Sequence, residues 1–313
     1  MVDSKQQWKA WLYLSPAIVL LLIFTVWPII NTVRLAFLEN YNALGALVGV
    51  TYEVGIGNFI EVLTYEDFLT CLKNTIWLTF LTVPLSTLLA LLIAVALNSI
   101  KPLQKFLQTI FFLPYVTNSI AIGMVFAAMF NVVGSFYGTE NELVVTAGII
   151  NNVIEFFGGE RINWINAGSS YFHNMFVMVV YIVWNALPFK ILVLLGGLQS
   201  VNKQYYEAAK VDGTSRFRTF TRITVPLLSP MITYVVITGF IGGFKEYSSI
   251  VGIFGDNMGP TGDPDRLNTM VGYIYDSLSL QPGRASAAAL ILFAIIFVVT
   301  MLNLYISKKN THY

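Results

Sequence analysis

Two adjacent ionisable residues, Lys245 and Glu246, lie within an apolar stretch of this chain. An ionised side chain in an apolar interior is costly, so such residues usually line a polar path or pair with another group. Adjacent residues on a helix point about 100° apart, so the two side chains cannot both face one partner. We expect at least one of them to line a path for a polar solute, while the other could extend to the membrane surface.

Two further pairs of polar and aromatic residues have helical spacing. Tyr115 and Ser119 are four residues apart, as are Asn185 and Phe189, so each pair shares one face of a helix. Hydroxyl, amide and aromatic groups on one face suit a ligand that needs hydrogen bonds and stacking. Structural roles are the alternative: Tyr115 and Ser119 could bond to each other or to a carbonyl near Pro114, and Phe189 could be core packing.

A polar and basic segment over residues 207–226 separates two long apolar runs and reads EAAKVDGTSRFRTFTRITVP. Asn202 can cap a short helix, and Lys210 lies in its last turn. Gly213 supplies the left-handed residue that ends this helix. The pattern predicts a short helix followed by a sharp turn.

A second helix is predicted after that turn. Thr214 or Ser215 can start it, and Pro226 is expected to close it. A helix, a turn and a second helix form a compact element suited to docking on a partner. The alternative is an ordinary amphipathic connector.

Composition indicates a membrane protein. Hydrophobic residues make up 56% of the 313 residues and charged residues 11%, with a mean hydropathy of +0.68. The formal net charge is +1, so nothing suggests a nucleic-acid partner. A single cysteine, Cys71, excludes an internal disulfide framework and a cysteine metal site, and we expect it to be packing material.

Six apolar segments are long enough to cross a hydrocarbon core of about 30 Å at about 1.5 Å per residue. They are residues 11–34, 75–97, 107–130, 172–195, 227–254 and 285–306. Helix starts or kinks are expected at the prolines within these segments, Pro16, Pro28, Pro84, Pro114 and Pro188. The sequence therefore predicts an all-α polytopic membrane protein with six transmembrane helices in a single domain, residues 1–313.

Charge asymmetry predicts the orientation. If the N-terminus is cytoplasmic, one side holds Lys5, Lys9, Lys101, Lys105, Lys203, Lys210, Arg216, Arg218, Arg222, Lys308 and Lys309. The opposite loops hold mainly Glu53, Glu61, Glu66, Asp67, Glu140, Glu142, Glu155, Glu160, Asp263 and Asp265. Because basic residues favour the cytoplasmic side, both termini and the segment 200–226 are predicted to be cytoplasmic. The outer segments are then residues 39–73, 131–171 and 255–283.

The segment 207–226 resembles the coupling loop of binding-protein-dependent ABC importer permeases. It fits EAA, three residues, Gly, nine residues, Ile, one residue, a hydrophobic residue and Pro. The likeness extends to YLSPAIVLLLIFTVWPIINTVRLAF, GIGNFIEVL, FFLPYVTNSIAIGMVF and WNALPFKILVLLGGLQSV, and is closest to the larger permease of maltose-type importers and to the glycerol-phosphate-type subunit. The resemblance implies a type I ABC importer fold and an ATPase-coupling role within the loop 200–226 for Glu207, Ala208, Ala209, Asp212, Gly213, Ile223 and Pro226.

The resemblance also implies partners in a bacterial or archaeal cell membrane: a second permease, two ATPase subunits and an extracytoplasmic solute-binding protein. The sequence contains no GxxxxGK followed by Ser or Thr, so we expect no ATP site, no enzymatic activity and no cofactor in this chain. ATP and magnesium would bind the ATPase subunits. Closure of those subunits would move the coupling loop and turn the cavity from inward to outward facing.

A carbohydrate cargo follows from the same resemblance. Tyr115, Ser119, Asn185, Phe189, Gly242, Lys245 and Glu246 match positions that hold sugar in the maltose-type subunit. The maltose-type pattern has uncharged amides where this chain has Lys245 and Glu246, and a tyrosine where it has Phe189. These departures argue against maltose itself and suggest an oligosaccharide or sugar derivative, which could be charged.

Two other classes of protein are polytopic and helical. An ion-coupled secondary transporter could use Glu246 as a proton carrier, but it would usually contain an internal repeat, and none is evident. A structural membrane assembly protein would have no need of the EAA spacing. Proton-driven uptake by this chain alone would favour the first, whereas ATPase subunits that copurify with it would exclude both.

Overall fold

Long apolar helices make up most of this protein. The computed structural model describes residues 7–42, 45, 49–100, 104–132, 134–137, 143–146 and 148–310. Of the charged residues used to predict the orientation, Lys5, Lys101, Glu140 and Glu142 lie outside the described residues. The helices are α1 (Gln7–Leu21), α2 (Trp27–Ala36), α3 (Gly57–Thr64), α4 (Glu66–Ser99), α5 (Gln104–Val116), α6 (Ser119–Phe130), α7 (Ile149–Phe156), α8 (Tyr171–Ser200), α9 (Gln204–Val211), α10 (Arg216–Thr219), α11 (Val225–Leu227), α12 (Ser229–Phe244), α13 (Ser248–Phe254), α14 (Met270–Leu278) and α15 (Pro282–Asn310).

Four helices in the described part of the chain are long and apolar enough to cross a membrane, and the number rises to six if each of two bent helix pairs is one span. The predicted six-span, all-α architecture is therefore confirmed as a fold class. A short antiparallel hairpin is added locally, with β1 (Gly134–Tyr137) paired to β2 (Leu143–Thr146) so that Gly134 faces Thr146.

The described residues form two compact units, one within Met1–Leu69 and Tyr273–Ala294 and the other within Thr70–Gly272 and Ile295–Tyr313. The single transmembrane domain stays a prediction. In the first unit, a π-helical turn at Leu22–Val26 joins α1 to α2 just before Pro28. No residue in the apolar window of this 29-residue helix is buried.

Polar side chains hold the other parts of the first unit together. The Asn58 amide donates to the backbone oxygens of Ala36 and Leu38 at 3.0 and 2.9 Å, which ties α3 to the end of α2. Arg284, near the start of α15, forms an ion pair with Glu61 of α3. Its guanidinium carbon also lies 5.1 Å from the centre of the Tyr65 ring.

The third predicted span, residues 107–130, is broken in the second unit. Helix α5 ends at Val116, and α6 leaves it at a bend of 102°. The Asn118 side chain accepts from the Ile120 and Ala121 amides and so caps α6. The prediction that Tyr115 and Ser119 share one helix face is therefore wrong, because a local cap competes with the continuous helix.

The fifth predicted span, residues 227–254, is also discontinuous. Helix α12 ends at Phe244, and α13 begins at Ser248. At the other end, a 69° bend separates the helical stretch Arg216–Leu227 from α12. The second helix ends at Leu227, one residue after Pro226, so the predicted end at Pro226 is confirmed to within one residue; a π-helical turn at Phe220–Thr224 precedes it.

Two glycines allow the second halves of the broken segments to pack closely. A Cβ added at Gly123 of α6 would lie 2.6 Å from the Cα of Gly252 in α13. Backbone contact of this kind is available only to residues without a side chain. The same region contains a buried apolar cluster that includes Tyr181, Met178 and Ile250.

A polar network joins the beginnings of α4 and α8 to the loop before α14. The Asn74 amide donates to the backbone oxygens of Arg266 and Asn268 at 3.0 and 2.9 Å, while its oxygen accepts from the Tyr171 hydroxyl at 2.8 Å. The Arg266 guanidinium donates to the Ser169 backbone oxygen at 2.6 Å. Buried polar groups with complete partners of this kind make the segment rigid.

A separate exposed ion pair joins α7 to the segment that follows it. The Arg161 guanidinium donates to both carboxylate oxygens of Glu155, at 2.5 and 3.2 Å. This hydrogen-bonded carboxylate raises the pKa of Arg161 above its ordinary value. The pair is solvated, so it contributes little to stability.

Candidate functional site: a cavity in the helix bundle and the segment beneath it

A cavity of about 280 Å³ lies among α4, α5, α8 and α12 of the second unit. Of the residues predicted to line a solute path, five are on its wall: Tyr115, Asn185, Phe189, Gly242 and Glu246. The wall also carries hydroxyl groups from Thr82, Ser86 and Thr238. Apolar walls with a few polar groups are typical of sites for small molecules.

Two aromatic side chains stand side by side at this cavity. The Tyr115 and Phe189 ring centres are 5.8 Å apart with an angle of 20° between the rings, so the rings are stacked. Tyr115 is half exposed and lies on the cavity wall. An aromatic ring can stack against the apolar face of a ring-shaped ligand.

Ser119 is close to the cavity because its hydrogen-bond partner Asn185 lines the cavity. The Asn185 amide donates to the Ser119 hydroxyl at 3.4 Å, and the Tyr181 hydroxyl donates to the Ser119 backbone oxygen. These bonds hold the start of α6 against α8. The break between α5 and α6 thus places Tyr115 and Ser119 on different helices while both remain near Asn185.

The most buried charge at the cavity is Lys190, which the sequence analysis missed. Its side chain is 4% exposed, and its ammonium donates to the Ser86 hydroxyl at 2.7 Å, the Thr87 hydroxyl at 2.9 Å and the Val83 backbone oxygen at 3.2 Å. All three partners are neutral groups of α4. The sequence could have indicated Lys190, because an ionisable side chain within an apolar span is costly. The same reason singled out Lys245 and Glu246.

Lys245 and Glu246 have different environments, as their adjacent positions suggested. The Glu246 carboxylate accepts from the backbone amides of Tyr247 and Ser249 at 3.2 and 3.0 Å, and Glu246 lines the cavity. Its backbone oxygen accepts from the Thr269 hydroxyl at 2.8 Å. Lys245 is exposed and is not on the cavity wall.

The glycines of α12 serve two purposes. A Cβ at Gly239 would lie 3.0 Å from a methyl group of Val83 and 3.2 Å from the Lys190 ammonium nitrogen, and one at Gly243 would lie 2.9 Å from Thr79. These two positions allow α12 to approach α4 and α8 closely. Nothing lies within 4 Å of a Cβ added at Gly242, which borders the open cavity.

The polar segment over residues 207–226 has the predicted start and turn. The Asn202 side chain accepts from the Gln204 amide at 3.0 Å at the beginning of α9, and Lys210 lies in the last turn. Gly213 has a φ of 64°, which is the left-handed conformation. Ser215 rather than Thr214 caps α10, because its side chain accepts from the Arg218 amide at 3.4 Å.

Within this segment, the EAA residues divide between solvent and interior. Glu207 and Ala208 are exposed, whereas Ala209 is buried. Exposed apolar side chains flank them, with Val211 86% and Phe217 77% exposed. Sequence reasoning did not single out these two, although apolar residues inside a polar segment are a recognisable sign of a docking surface.

Comparison with known proteins assigns the family. The model of the family described as binding-protein-dependent transport system inner membrane component matches residues 86–312. This chain belongs to that family. It is therefore a permease subunit of a binding-protein-dependent ABC importer and a multi-pass membrane protein.

Several relatives are similar over nearly the whole chain. The arabinooligosaccharides transport system permease protein AraP of Halalkalibacterium halodurans is 30% identical over 97% of this chain and 89% of its own length. The lactose transport system permease protein LacF of Rhizobium radiobacter is 28% identical, over 94% and 91%. The crystal structure of a bacterial ABC transporter involved in the import of the acidic polysaccharide alginate matches with a TM-score of 0.76 at 24% identity, covering 99% of this chain and 98% of that chain. The match to this crystal structure shows that the two chains share a fold.

Proposed function

We propose that this subunit forms part of the translocation path for a carbohydrate, an oligosaccharide or sugar derivative. The cavity carries this proposal, because stacked aromatic rings, an amide and hydroxyl groups line one space in a bundle of membrane-spanning helices. Sugars are bound by that combination of stacking and hydrogen bonds. The similarity to permeases named for arabinooligosaccharides and lactose supports the same class of cargo.

In this proposal, Phe189 and Tyr115 stack on a sugar ring, while Asn185, Ser119 and Glu246 exchange hydrogen bonds with its hydroxyl groups. Gly242 leaves room for the ring. Lys245 is exposed and does not line the cavity. In this proposal the positively charged contact with the cargo is therefore made by Lys190. A charged cargo would be anionic, because the Glu246 carboxylate already accepts from two backbone amides whereas Lys190 has neutral partners only.

Energy for transport comes from separate ATPase subunits in this proposal. The segment 200–226 docks on one of them, with Glu207, Ala208, Asp212 and Gly213 at the contact and Ile223 and Pro226 connecting it to α12. The exposed side chains of Val211 and Phe217 add apolar contact area. A second permease completes the pathway, and an extracytoplasmic binding protein delivers the cargo.

Cargo contact is tested by uptake in cells that carry the complete importer. We expect Asn185→Ala and Phe189→Ala to raise the half-saturating cargo concentration about tenfold or more, the scale of one or two lost contacts of 1–2 kcal/mol. Lys245→Gln is the matched control and should leave uptake unchanged. Normal uptake in both cavity variants would remove these residues from the cargo path.

Docking is tested by copurification of the ATPase subunits. Val211→Asp places a charge in the proposed apolar contact and should reduce the amount of ATPase recovered, while Thr221→Asp, on an exposed turn of the same segment, serves as the control. Equal recovery with Val211→Asp would contradict the docking role.

The orientation, with both termini in the cytoplasm, is tested by labelling single cysteines in a Cys71→Ser background. A membrane-impermeant thiol reagent added outside should modify Glu160→Cys and spare Arg218→Cys. Both positions are exposed in the structure, so accessibility depends on the side of the membrane. The opposite labelling pattern would reverse the proposed topology.

A further inference from the structure

A separate cavity of about 220 Å³ lies in the first unit, among the segment after α2, the helix α3 and the start of α15. We call it the α3 cavity. Most of its wall is polar, and the lining residues are Asn40, Tyr41, Asn42, Asn58, Glu61, Leu280, Gln281, Gly283 and Arg284. Its volume is below the range of about 300–1,000 Å³ that is usual for pockets that hold drug-sized ligands. An occupant is therefore small, or is one unit of a longer molecule.

The wall that follows α2 is fixed by hydrogen bonds on both sides of Asn40. The Glu39 carboxylate accepts from the Gly57 amide at 2.8 Å at the beginning of α3. The Tyr52 hydroxyl donates to the Asn42 backbone oxygen at 2.7 Å. Between these two anchors, Asn40 has a φ of 52°, a left-handed conformation that asparagine adopts more readily than most residues. This polar wall is therefore formed in the absence of a ligand.

The opposite wall depends on a close approach of α15 to α3. A Cβ added at Gly283 would lie 2.8 Å from the amide nitrogen of Asn58, so a larger residue would push the two helices apart. Asn58 is itself buried and bonded to the end of α2. The start of α15 is thus held against α3, and this contact positions Arg284 at the cavity.

Arg284 and Glu61 are the charged residues of the wall. The Arg284 side chain is 14% exposed and forms an ion pair with the half-exposed Glu61 carboxylate. The Nε donor of Arg284 is buried without a hydrogen-bond partner among the described residues, so the protein does not satisfy the whole guanidinium. Because the two formal charges cancel, the wall residues have no net charge. An ionic ligand would meet a like charge as well as an opposite one.

We propose that the α3 cavity binds a single neutral sugar unit. Amide, carboxylate and guanidinium groups are planar and offer paired hydrogen-bond positions, and neighbouring hydroxyls on a sugar ring present donors and acceptors in pairs as well. Tyr41 adds an aromatic ring to the same wall. An apolar ligand would leave these polar groups desolvated and without partners, which is costly.

The α3 cavity is on the outer side of the membrane in the proposed orientation, because residues 39–73 and 255–283 are outer segments there. A role in transport rests on the proposed function: a sugar unit held here would be cargo outside the membrane. Sugar binding itself depends only on the chemistry of the α3 cavity. The two proposals can therefore fail separately.

The experiment uses the full-length chain in phospholipid nanodiscs, freed of sugar-based detergents that would compete for the site. The double variant Asn185→Ala/Phe189→Ala weakens the proposed binding in the helix bundle and is the background for every measurement. Saturation-transfer-difference NMR gives the dissociation constants of D-galactose and L-arabinose, each a single sugar unit. We expect saturable binding in this background.

Variants of the wall then locate the binding. Asn40→Gly removes an amide and keeps the left-handed conformation, and Gln281→Ala removes a second amide. Together they should weaken binding about tenfold, the scale of two lost hydrogen bonds. Leu280→Trp, at a wall position that is 83% exposed, should obstruct the α3 cavity with the same effect. The matched control is Gln199→Ala, at an exposed position near the end of α8, which should leave binding unchanged.

The thermal unfolding midpoint of each variant shows whether its fold is intact. The proposal is overturned if neither sugar binds in the background variant, or if binding is unchanged by both wall changes in folded protein. Sugar binding in this test, together with normal uptake in Asn185→Ala and Phe189→Ala importers, would support the α3 site and refute only the proposed cargo path.

Discussion

The Lys190 ammonium lies 2.7 Å from the Ser86 hydroxyl and joins α8 to α4 beside the cavity. An ammonium buried among neutral oxygens loses much of its hydration, and the three hydrogen bonds offset part of that cost. A lysine would be a poor choice if packing alone were required here, because an apolar side chain of similar size fills such a space without the cost. The presence of a buried lysine here favours a role for positive charge at the cavity.

Replacement of Lys190 separates the contribution of its volume to packing from the contribution of its positive charge. Lys190→Met keeps most of the volume, so we expect the free energy of unfolding to change by less than about 1.5 kcal/mol. Lys190→Ala leaves a void and should destabilise the protein by roughly 2–4 kcal/mol. Thermal unfolding of the purified protein measures both changes. Uptake should fall in the methionine variant as well, and full activity there would mean that Lys190 is only a packing residue.

Gly213 has a backbone conformation that favours glycine. Its φ of 64° is strained for a β-branched side chain, so Gly213→Val should cost roughly 1–2 kcal/mol locally and distort the turn between α9 and α10. We expect uptake and cargo-stimulated ATPase activity to fall while membrane insertion persists. The control is Gly196→Val, since nothing lies within 4 Å of a Cβ at Gly196. Equal loss in the two variants would argue against a specific role for the turn.

The contact between Gly123 and Gly252 should be sensitive to a single methyl group. A Cβ at Gly123 would lie 2.6 Å from the Gly252 Cα, and backbone cannot move aside as a flexible side chain can. Gly123→Ala should therefore lower the free energy of unfolding by roughly 1–3 kcal/mol, the usual cost of overpacking. Gly242→Ala, where space is open, should be nearly neutral. A stable Gly123→Ala protein would show that α6 and α13 can separate without loss.

Asn74 should control the rigidity of the loop before α14. Asn74→Ala removes the bonds to the backbone oxygens of Arg266 and Asn268, as well as the bond from the Tyr171 hydroxyl. Hydrogen exchange of the amides over residues 266–272 should become faster, by a factor of ten or more for a loss of about 1.4 kcal/mol. Asn303→Ala is the control, because its amide bonds only to its own helix at Val299. Unchanged exchange in Asn74→Ala would show that other contacts hold the loop.

Local sequence patterns were sufficient to predict the features that depend on a few neighbouring residues or on the length of an apolar segment. The left-handed turn at Gly213 and the cap by Ser215 follow from residue type, because few residues adopt those conformations or offer those hydrogen bonds. Membrane-spanning segments follow from apolar length, since a bilayer leaves a helix few alternatives. The family pattern in residues 207–226 likewise consists of near neighbours along the chain.

Only the tertiary structure decided which polar side chains meet. Ser119 is separated from Tyr115 by the break between α5 and α6, and the packing of α6 against α8 brings it to Asn185, 66 residues away along the chain. Lys190, 107 residues from Val83 along the chain, reaches α4 because α8 packs beside it, and no local pattern specifies such a distant partner. Lys245 and Glu246 follow the end of α12 at Phe244, and the fold places Glu246 on the cavity wall and leaves Lys245 exposed.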